Sequence, residues 1–113
     1  CRAASSRLAS EMHLGSTIFK QDSFSREYFY PLLRAWEHYV PVKTSLQDAK
    51  QQLDWAKANP TKARQIAENA KAFAQQHLHK HAIACFWWQL LRAFAQLQNF
   101  EPRTDSRKGW RGL

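Results

Sequence analysis

The stretch EYFYPLLRAWEHYVPVKTSLQD, residues 27–48, contains three kinds of segment in a row with no glycine between them. Its aromatic-rich beginning includes Pro31, which caps or kinks a helix, so we expect an irregular, partly helical loop there. The β-rich run HYVPVK at residues 38–43 predicts a short strand, and Pro41 places it late in the strand or at a sheet edge. The polar end of the stretch predicts the start of a helix.

Two more elements are predicted upstream of this stretch. Residues 5–14 combine helix formers with apolar side chains at Leu8 and Met12, and Gly15 is a suitable C-cap. We therefore expect a short helix that ends at Gly15. The run STIFKQ, residues 16–21, is rich in β-branched and aromatic residues and predicts a short strand.

Three helices are predicted downstream. Ser45 followed by Asp48 resembles a capping box for the first, and Asn59 with Pro60 fits the cap and first turn of the second. Apolar residues recur in the first helix at Leu46, Ala49, Leu53 and Ala56. The second has a narrow stripe of Ala63, Ile66, Ala67, Ala70, Phe73 and Ala74. The third starts near His81 and has a wide apolar face of Ile83, Phe86, Trp87, Leu90, Leu91, Phe94 and Leu97.

Strands and helices in this order are typical of an α/β layered fold, in which ligands bind outside the carboxyl ends of the strands and helix N-termini receive phosphates. The N-terminal edge is therefore a candidate site. It offers small residues at Ala3 and Ala4, hydroxyls at Ser5 and Ser6, and the guanidinium of Arg7. Small residues let a phosphate approach the backbone, and arginine binds it through two nitrogens. A plain helix N-cap is the other interpretation.

Composition limits the class of protein. The 113 residues suffice for one compact domain, and no apolar run reaches the roughly 18 residues that span a bilayer. The chain begins at Cys1, so we expect it to be a piece of a longer protein or a mature product. The net charge is +8, and basic residues concentrate between Arg103 and Arg111. That segment is either a solvated tail, an anion-binding surface or a nucleic-acid arm.

Several motifs follow one another in a specific order. They are AASSRL at residues 3–8, EYFY at 27–30, HYVPVK at 38–43, DWAKAN at 54–59 and CFWWQLL at 85–91. This order resembles the C-terminal portion of the capsule-associated (CAP-type), lipopolysaccharide-modifying glycosyltransferases, the family that includes the protein O-glucosyltransferases. The resemblance extends from Ala3 to about Phe100.

The resemblance implies that residues 1–100 are part of the C-terminal, Rossmann-like donor lobe of a GT-B-type glycosyltransferase, with a helical C-terminal portion, and that residues 101–113 are a basic tail. Such enzymes transfer glucose or xylose from a UDP-sugar to a hydroxyl of a protein or polysaccharide. The implied donor-binding residues are Ala3, Ala4, Ser5, Ser6, Arg7 and Glu27.

The roles of these residues are implied in the same way. Arg7 is the expected catalytic residue, because it would neutralise charge on the UDP leaving group. Lys20 is a candidate to assist Arg7 in this role, although a single lysine after a strand is usually solvated. Glu27 would bind the ribose or the sugar, and the alternative is an ordinary first-turn glutamate of a helix capped by Ser25.

The resemblance also places parts of the enzyme elsewhere. The general base belongs to the other, N-terminal lobe, and no residue of this chain matches it. Cys85 matches a cysteine that would form a disulfide with that lobe, and a buried free thiol is the alternative. Such a disulfide would imply the lumen of the secretory pathway, in the endoplasmic reticulum or Golgi, or a membrane-anchored protein that faces this lumen. No cofactor, metal or nucleic acid is expected. Arg34-Ala35-Trp36 replaces the family's Lys-Pro-Trp, which should make the turn less rigid with little effect on function.

Two groups of side chains have alternative interpretations. Tyr28, Phe29, Tyr30, Trp36 and Tyr39 either stack on a base or sugar or belong to the core. His77, His79 and His81 occupy alternate positions, which would suit a metal only in an extended segment.

Two functions of different class follow. In the first, the chain is the donor-lobe part of a UDP-sugar-dependent glycosyltransferase; in the second, it is a non-catalytic basic module that binds an anionic polymer through its tail. The wide apolar face of the last helix predicts that the isolated chain is aggregation-prone or marginally folded, because this face needs a partner.

Overall fold

The computed structural model of the protein describes residues 7–100. Within them the elements are α1 (Arg7–His13), β1 (Phe19–Gln21), a 3₁₀ helix (Tyr30–Leu32), β2 (Val40–Val42), α2 (Ala49–Ala58), α3 (Pro60–His77) and α4 (Lys80–Leu97). This content confirms the α/β class. The chain divides into compact units after Ile83, so α4 from Ala84 onward is described by itself.

The two strands form a small parallel sheet. Phe19 pairs with Val40 and Gln21 with Val42, so the strands end at the same edge. The backbone N–H of Val40 donates to the Ile18 carbonyl at 2.8 Å. Since Val40 and Val42 bond to β1, the nitrogen of Pro41 lies on the other side of β2, where a missing N–H breaks no sheet bond. Of the two predicted positions, late in the strand or at an edge, the structure shows the edge: within residues 7–100 the sheet has two strands, and Pro41 lies in the middle of β2.

A hydrophobic core joins α1 and α3 across the sheet region. Its buried residues are Leu8, Met12, Ile18, Phe29, Ala70, Phe73, Ala74 and Leu78. All six residues of the predicted α3 stripe are buried, because small alanines allow α1 to approach α3 closely. Thr17 Oγ1 also donates to the Ala63 carbonyl at 2.9 Å, which ties the start of the strand region to α3.

The predicted end of α1 is confirmed. The helix ends at His13, and Gly15 has a φ of 72°, which an L side chain rarely adopts. A Cβ at Gly15 would lie 3.4 Å from Cδ of Lys71, so the chain also passes close to α3 there. Glycine therefore both ends the helix and permits the following turn.

The predicted helix caps were wrong in detail. Ser45 was predicted to cap α2, but the helix begins only at Ala49, directly after Asp48. Asp48 makes no capping hydrogen bond, because its Oδ1 accepts the Lys43 N–H at 2.9 Å instead. Asn59 precedes α3, and its side-chain amide donates backward to the Trp55 carbonyl at 2.9 Å. Pro60 does occupy the first turn of α3 as predicted. At both positions the polar side chain forms a hydrogen bond with a neighbouring turn, so it does not accept a hydrogen bond from the free N–H groups at the start of the helix.

The predicted apolar face of α2 is confirmed only in part. Leu46 lies outside the helix with a φ of 60°, and both Leu46 and Leu53 are exposed. Ala49 and Ala56, the other two residues of the predicted face, are half-buried, and so is Trp55. No residue of α2 is fully buried.

Helix α4 starts at Lys80, close to the predicted His81. None of its residues is buried, and its large apolar side chains at Trp87, Leu90, Leu91, Phe94 and Leu97 are exposed. Five of the seven residues of the predicted apolar face are therefore exposed, while Ile83 and Phe86 are half-buried. The aggregation that we expect of the isolated chain follows from this face and stays a prediction.

Candidate functional site

The carboxyl ends of β1 and β2 meet at Asp22 and Thr44. The Asp22 N–H donates to the Val42 carbonyl at 3.0 Å, and Thr44 Oγ1 donates to the Asp22 carbonyl at 3.0 Å. The Gln21 side-chain amide donates to the Thr44 carbonyl at 2.7 Å. These bonds fix the backbone just beyond the sheet, where α/β folds bind their ligands.

Three cavities share Asp22 as a lining residue. One of about 130 Å³ is lined by Lys20, Asp22, Ser23, Arg26, Tyr30 and Tyr39. A second of about 160 Å³ is lined by Asp22, Ser23, Phe24, Arg26 and Thr44. The third is a groove of about 660 Å³ that extends past Trp36 and Thr44 to Asp48 and Gln52. Sequence reasoning missed Asp22, Arg26 and the groove. The available signal was the polar residues directly after each strand.

Lys20 is half-buried between aromatic rings. Its Nζ lies 4.5 Å from the centroid of the Tyr30 ring and 5.3 Å from that of Tyr39. Burial lowers the pKa of Lys20, with the nearby Asp22 acting in the opposite direction and Arg26 in the same one. The expectation that a lysine here is simply solvated was wrong, because the two rings cover its side chain. The role of Lys20 in assisting Arg7 at the UDP leaving group stays a prediction.

Trp36 forms one wall of the groove in an uncommon backbone conformation. Its φ is 66°, a left-handed value that is costly for a bulky side chain. A 2.7 Å hydrogen bond from its N–H to the Tyr39 carbonyl holds this conformation, and its ring packs edge-on against Trp55 at 4.8 Å. The Trp36 side chain stays 46% exposed. The turn is thus held by hydrogen bonding and ring packing.

Some of the five predicted aromatic residues pack in the core, and others are placed where they could stack on a base or sugar. Phe29 is buried in the core with edge-to-face contacts to Tyr28 and Tyr30, and Tyr30 and Tyr39 pack partly against the core. Tyr28 and Trp36 are exposed. The core interpretation is therefore confirmed for Phe29, while Tyr30, Tyr39 and Trp36 line cavities beside Asp22.

Glu27 lies in a loop and is half-buried. The first-turn interpretation was wrong, since no helix starts at Ser25 and the 3₁₀ helix begins only at Tyr30. The Glu27 carbonyl accepts the Tyr30 N–H at 3.1 Å, and its carboxylate contributes to raising the pKa of Tyr30, second to burial. This charge therefore lies near the cavity that Tyr30 lines. A role in binding ribose or sugar stays a prediction.

Arg7 opens α1 with an exposed side chain. Its Nε lies 3.8 Å from Oε1 of Glu11, one helical turn later. Arg7 is not among the residues that line the three cavities around Asp22. The other predicted donor-binding residues of this edge, Ala3, Ala4, Ser5 and Ser6, lie outside the described residues, as does the basic tail at residues 101–113. The role of Arg7 stays a prediction.

The histidines and Cys85 do not form a site in the described residues. His77 stacks on Phe73 at 4.8 Å, and the rings of His79 and His81 lie 6.1 Å apart. Residues 7–100 contain no group of three or more His, Cys, Asp or Glu side chains placed to hold a metal ion. Cys85 is exposed, with the Gln89 amide 3.6 Å from its Sγ, so the prediction of a buried thiol was wrong.

His38 organises the turn that contains Arg34-Ala35-Trp36. Its Nδ1 accepts the backbone N–H of Arg34 at 3.0 Å, and its ring packs against Phe73 at 5.1 Å. The side chain is only 12% exposed, and its Nε2 lies 3.8 Å from a Glu37 oxygen. Burial lowers the pKa of His38; Glu37 opposes this shift, while Arg34 and His77 add to it.

This turn predicts a pH dependence. Because the folded protein favours neutral His38, the stabilisation is complete above the unfolded value of 6.5 and is lost as the pH falls toward the lower, folded pKa. Protonation also removes the Nδ1 lone pair that accepts the Arg34 N–H. We expect the free energy of unfolding to fall between about pH 7.5 and about pH 5.5.

Denaturant unfolding at both pH values measures this dependence. His38→Gln should flatten it, whereas His81→Gln, a change at an exposed histidine, should leave it as in the wild type. An equal pH dependence in His38→Gln and the wild type would contradict the assignment to His38.

Between residues 7 and 100, no helix is both long and apolar enough to cross a bilayer.

Three protein O-glucosyltransferases illustrate what this chain is similar to. Protein O-glucosyltransferase 3 of Homo sapiens is 38% identical over 87 residues, which are 77% of this chain and 17% of that protein. Protein O-glucosyltransferase 1 of Homo sapiens is 36% identical over 108 residues, 96% of this chain and 27% of that protein. Protein O-glucosyltransferase 2 of Danio rerio is 35% identical over 88 residues, 78% of this chain and 18% of that protein.

The chain thus spans between 17% and 27% of the length of these relatives. The family model of glycosyl transferase family 90 matches residues 1–109, nearly the whole sequence. The resemblance of the motifs from AASSRL to CFWWQLL is confirmed by this match, and the chain belongs to glycosyl transferase family 90.

Proposed function

We propose that this protein is a UDP-sugar-dependent O-glycosyltransferase and that this chain supplies part of its nucleotide-sugar site. One observation carries the proposal: in a member of this family, two parallel strands end together at a set of cavities around Asp22. Ligands of parallel α/β sheets bind at such an edge. The α/β unit is then part of a Rossmann-like donor lobe in a GT-B architecture.

The proposed reaction moves glucose or xylose to a hydroxyl of a protein or polysaccharide. The acceptor oxygen attacks the anomeric carbon, a base outside this chain takes the hydroxyl proton, and the bond to the UDP oxygen breaks. Negative charge develops on the departing diphosphate. Arg7 with Ala3 to Ser6 would bind that diphosphate, and the arginine charge would stabilise the transition state. Lys20, which is half-buried against the Tyr30 ring, would add positive charge from the strand side.

The remaining parts of the proposal concern the rest of the protein. The relatives are protein O-glucosyltransferases of much greater length, which supports a second lobe that carries the general base. The exposed thiol of Cys85 is available for a disulfide with that lobe. Such a bond would require an oxidising compartment, so we propose the lumen of the secretory pathway as the location.

Donor turnover tests this function. The protein in the full form that its gene encodes is incubated with UDP-glucose or UDP-xylose, and released UDP is measured over time. We expect UDP release with at least one of these donors, and more of it when an acceptor protein is present. A folded protein that neither releases UDP nor binds it would contradict the proposal.

A further inference from the structure

We propose that Asp22 binds two adjacent hydroxyl groups of the donor sugar and thereby sets donor selectivity. The inference rests on the proposed function and adds to it a residue that the motifs do not indicate. It starts from the position of Asp22, which lines all three cavities at the carboxyl ends of the strands.

The backbone of Asp22 is held on both sides. Its N–H donates to Val42 and its carbonyl accepts the Thr44 hydroxyl, both at 3.0 Å. Neither bond uses the carboxylate, and the side chain is exposed. The carboxylate is thus presented from a fixed backbone position, which is the arrangement needed to bind a ligand in one orientation.

The chemistry of a carboxylate selects a ligand that donates hydrogen bonds. An ionised carboxylate accepts through two oxygens, so two neighbouring hydroxyls of a saccharide ring match it, whereas a phosphate is repelled. Lys20 and Arg26 line the same 130 Å³ cavity and supply positive charge beside it. A cavity with one carboxylate and two cations complements a sugar bonded to a phosphate.

The two smaller cavities at Asp22 suit a small group. The cavities that contain both Asp22 and Arg26 measure about 130 and 160 Å³. Both are below the roughly 300 Å³ at which pockets begin to enclose larger ligands. These two cavities therefore favour a single saccharide ring over a nucleoside, whereas the groove of about 660 Å³ on Asp22 is large enough for either part.

The test compares UDP with UDP-sugars in the full protein that the gene encodes. Calorimetric titrations measure the Kd of UDP, UDP-glucose and UDP-xylose for the wild type, Asp22→Asn and a control, Asp54→Asn. The control removes the same charge from an exposed pair with Lys50 at 2.8 Å, away from the three cavities. Thermal melting checks that each variant is folded.

We expect Asp22→Asn to weaken binding of at least one UDP-sugar by about 10- to 100-fold, the loss typical of a hydrogen bond to a charged group. The Kd of UDP, which lacks the sugar, should stay within about twofold, and Asp54→Asn should match the wild type for all three ligands. Should Asp22→Asn fail to fold, Asp22→Glu keeps the charge, moves the oxygens by one methylene, and should show the same selective loss.

Two results would overturn the inference while leaving the proposed function intact. One is unchanged binding of both UDP-sugars by the folded Asp22 variant. The other is an equal loss for UDP and the UDP-sugars, which would place the effect on the nucleotide. If the folded wild type binds neither UDP nor a UDP-sugar, the proposed function fails and the inference fails with it.

Discussion

Replacing Arg7 with alanine is expected to lower the turnover of the UDP-sugar by about 100- to 1,000-fold, the loss typical of removing one group that stabilises developing negative charge. Arg7 is exposed, and its ion pair with Glu11 joins two exposed side chains one turn apart. Such a pair contributes only about 0.3–0.5 kcal/mol to stability. We expect the variant to lose activity through the chemical step.

Steady-state kinetics of UDP release measures this effect as kcat and kcat/KM for the wild type and Arg7→Ala. Arg64→Ala is the matched control, because Arg64 is an exposed arginine on α3 that the donor motif does not include. If Arg7→Ala keeps wild-type turnover, or if Arg64→Ala loses as much, then Arg7 does not act on the leaving group.

Phe29→Ala is expected to destabilise the fold by about 3–5 kcal/mol, the cost of removing a buried aromatic ring from a packed core. Phe29 is 3% exposed and packs edge-to-face on Tyr28 and Tyr30, with centroid distances of 5.4 and 5.2 Å. It lies in the core that joins α1 and α3. Its loss would therefore loosen the loop beside the candidate site as well as the core.

Chemical denaturation of the full protein gives the free energy of unfolding for this comparison. Phe24→Ala is the control, because the same side chain at Phe24 is 99% exposed and its removal should change stability by less than about 0.5 kcal/mol. Loss of a cooperative transition in Phe29→Ala alone would also agree with the expectation. Equal stability of the two variants would contradict the placement of Phe29 in the core.

Local patterns predicted the elements well. The α3 stripe from Ala63 to Ala74 repeats at helical spacing, so each residue contributes to the same buried face, and all six are buried. Gly15 and Pro60 mark helix boundaries through their own backbone chemistry. These signals lie within a few residues of one another, and they require no knowledge of the partner element.

The errors arose where a polar side chain has two possible partners. Ser45 and Asp48 were expected to form a capping box at the start of α2, but the Asp48 carboxylate accepts the Lys43 N–H of the preceding turn. Asn59 similarly donates to Trp55. The competing bonds depend on the exact path of the turn, which single-residue preferences do not specify.

The candidate site was only partly predictable. The order of strands and helices indicated that ligands bind at the carboxyl ends of strands. The residues that were predicted to bind the donor, however, lie mostly before α1. Asp22 and Thr44 are 22 positions apart and meet only because β1 and β2 pair in parallel. The polar residues after each strand were the available signal, but the register that joins them requires the three-dimensional structure.

The most direct test of a nucleotide-sugar site in this chain is a calorimetric titration of UDP into the full protein and into Arg7→Ala, with Arg64→Ala as control. We predict saturable binding to the wild type and to Arg64→Ala, and binding weakened by about 10- to 100-fold in Arg7→Ala, as for a lost hydrogen bond to a charged group. Absence of saturable UDP binding by the folded wild type would contradict the account.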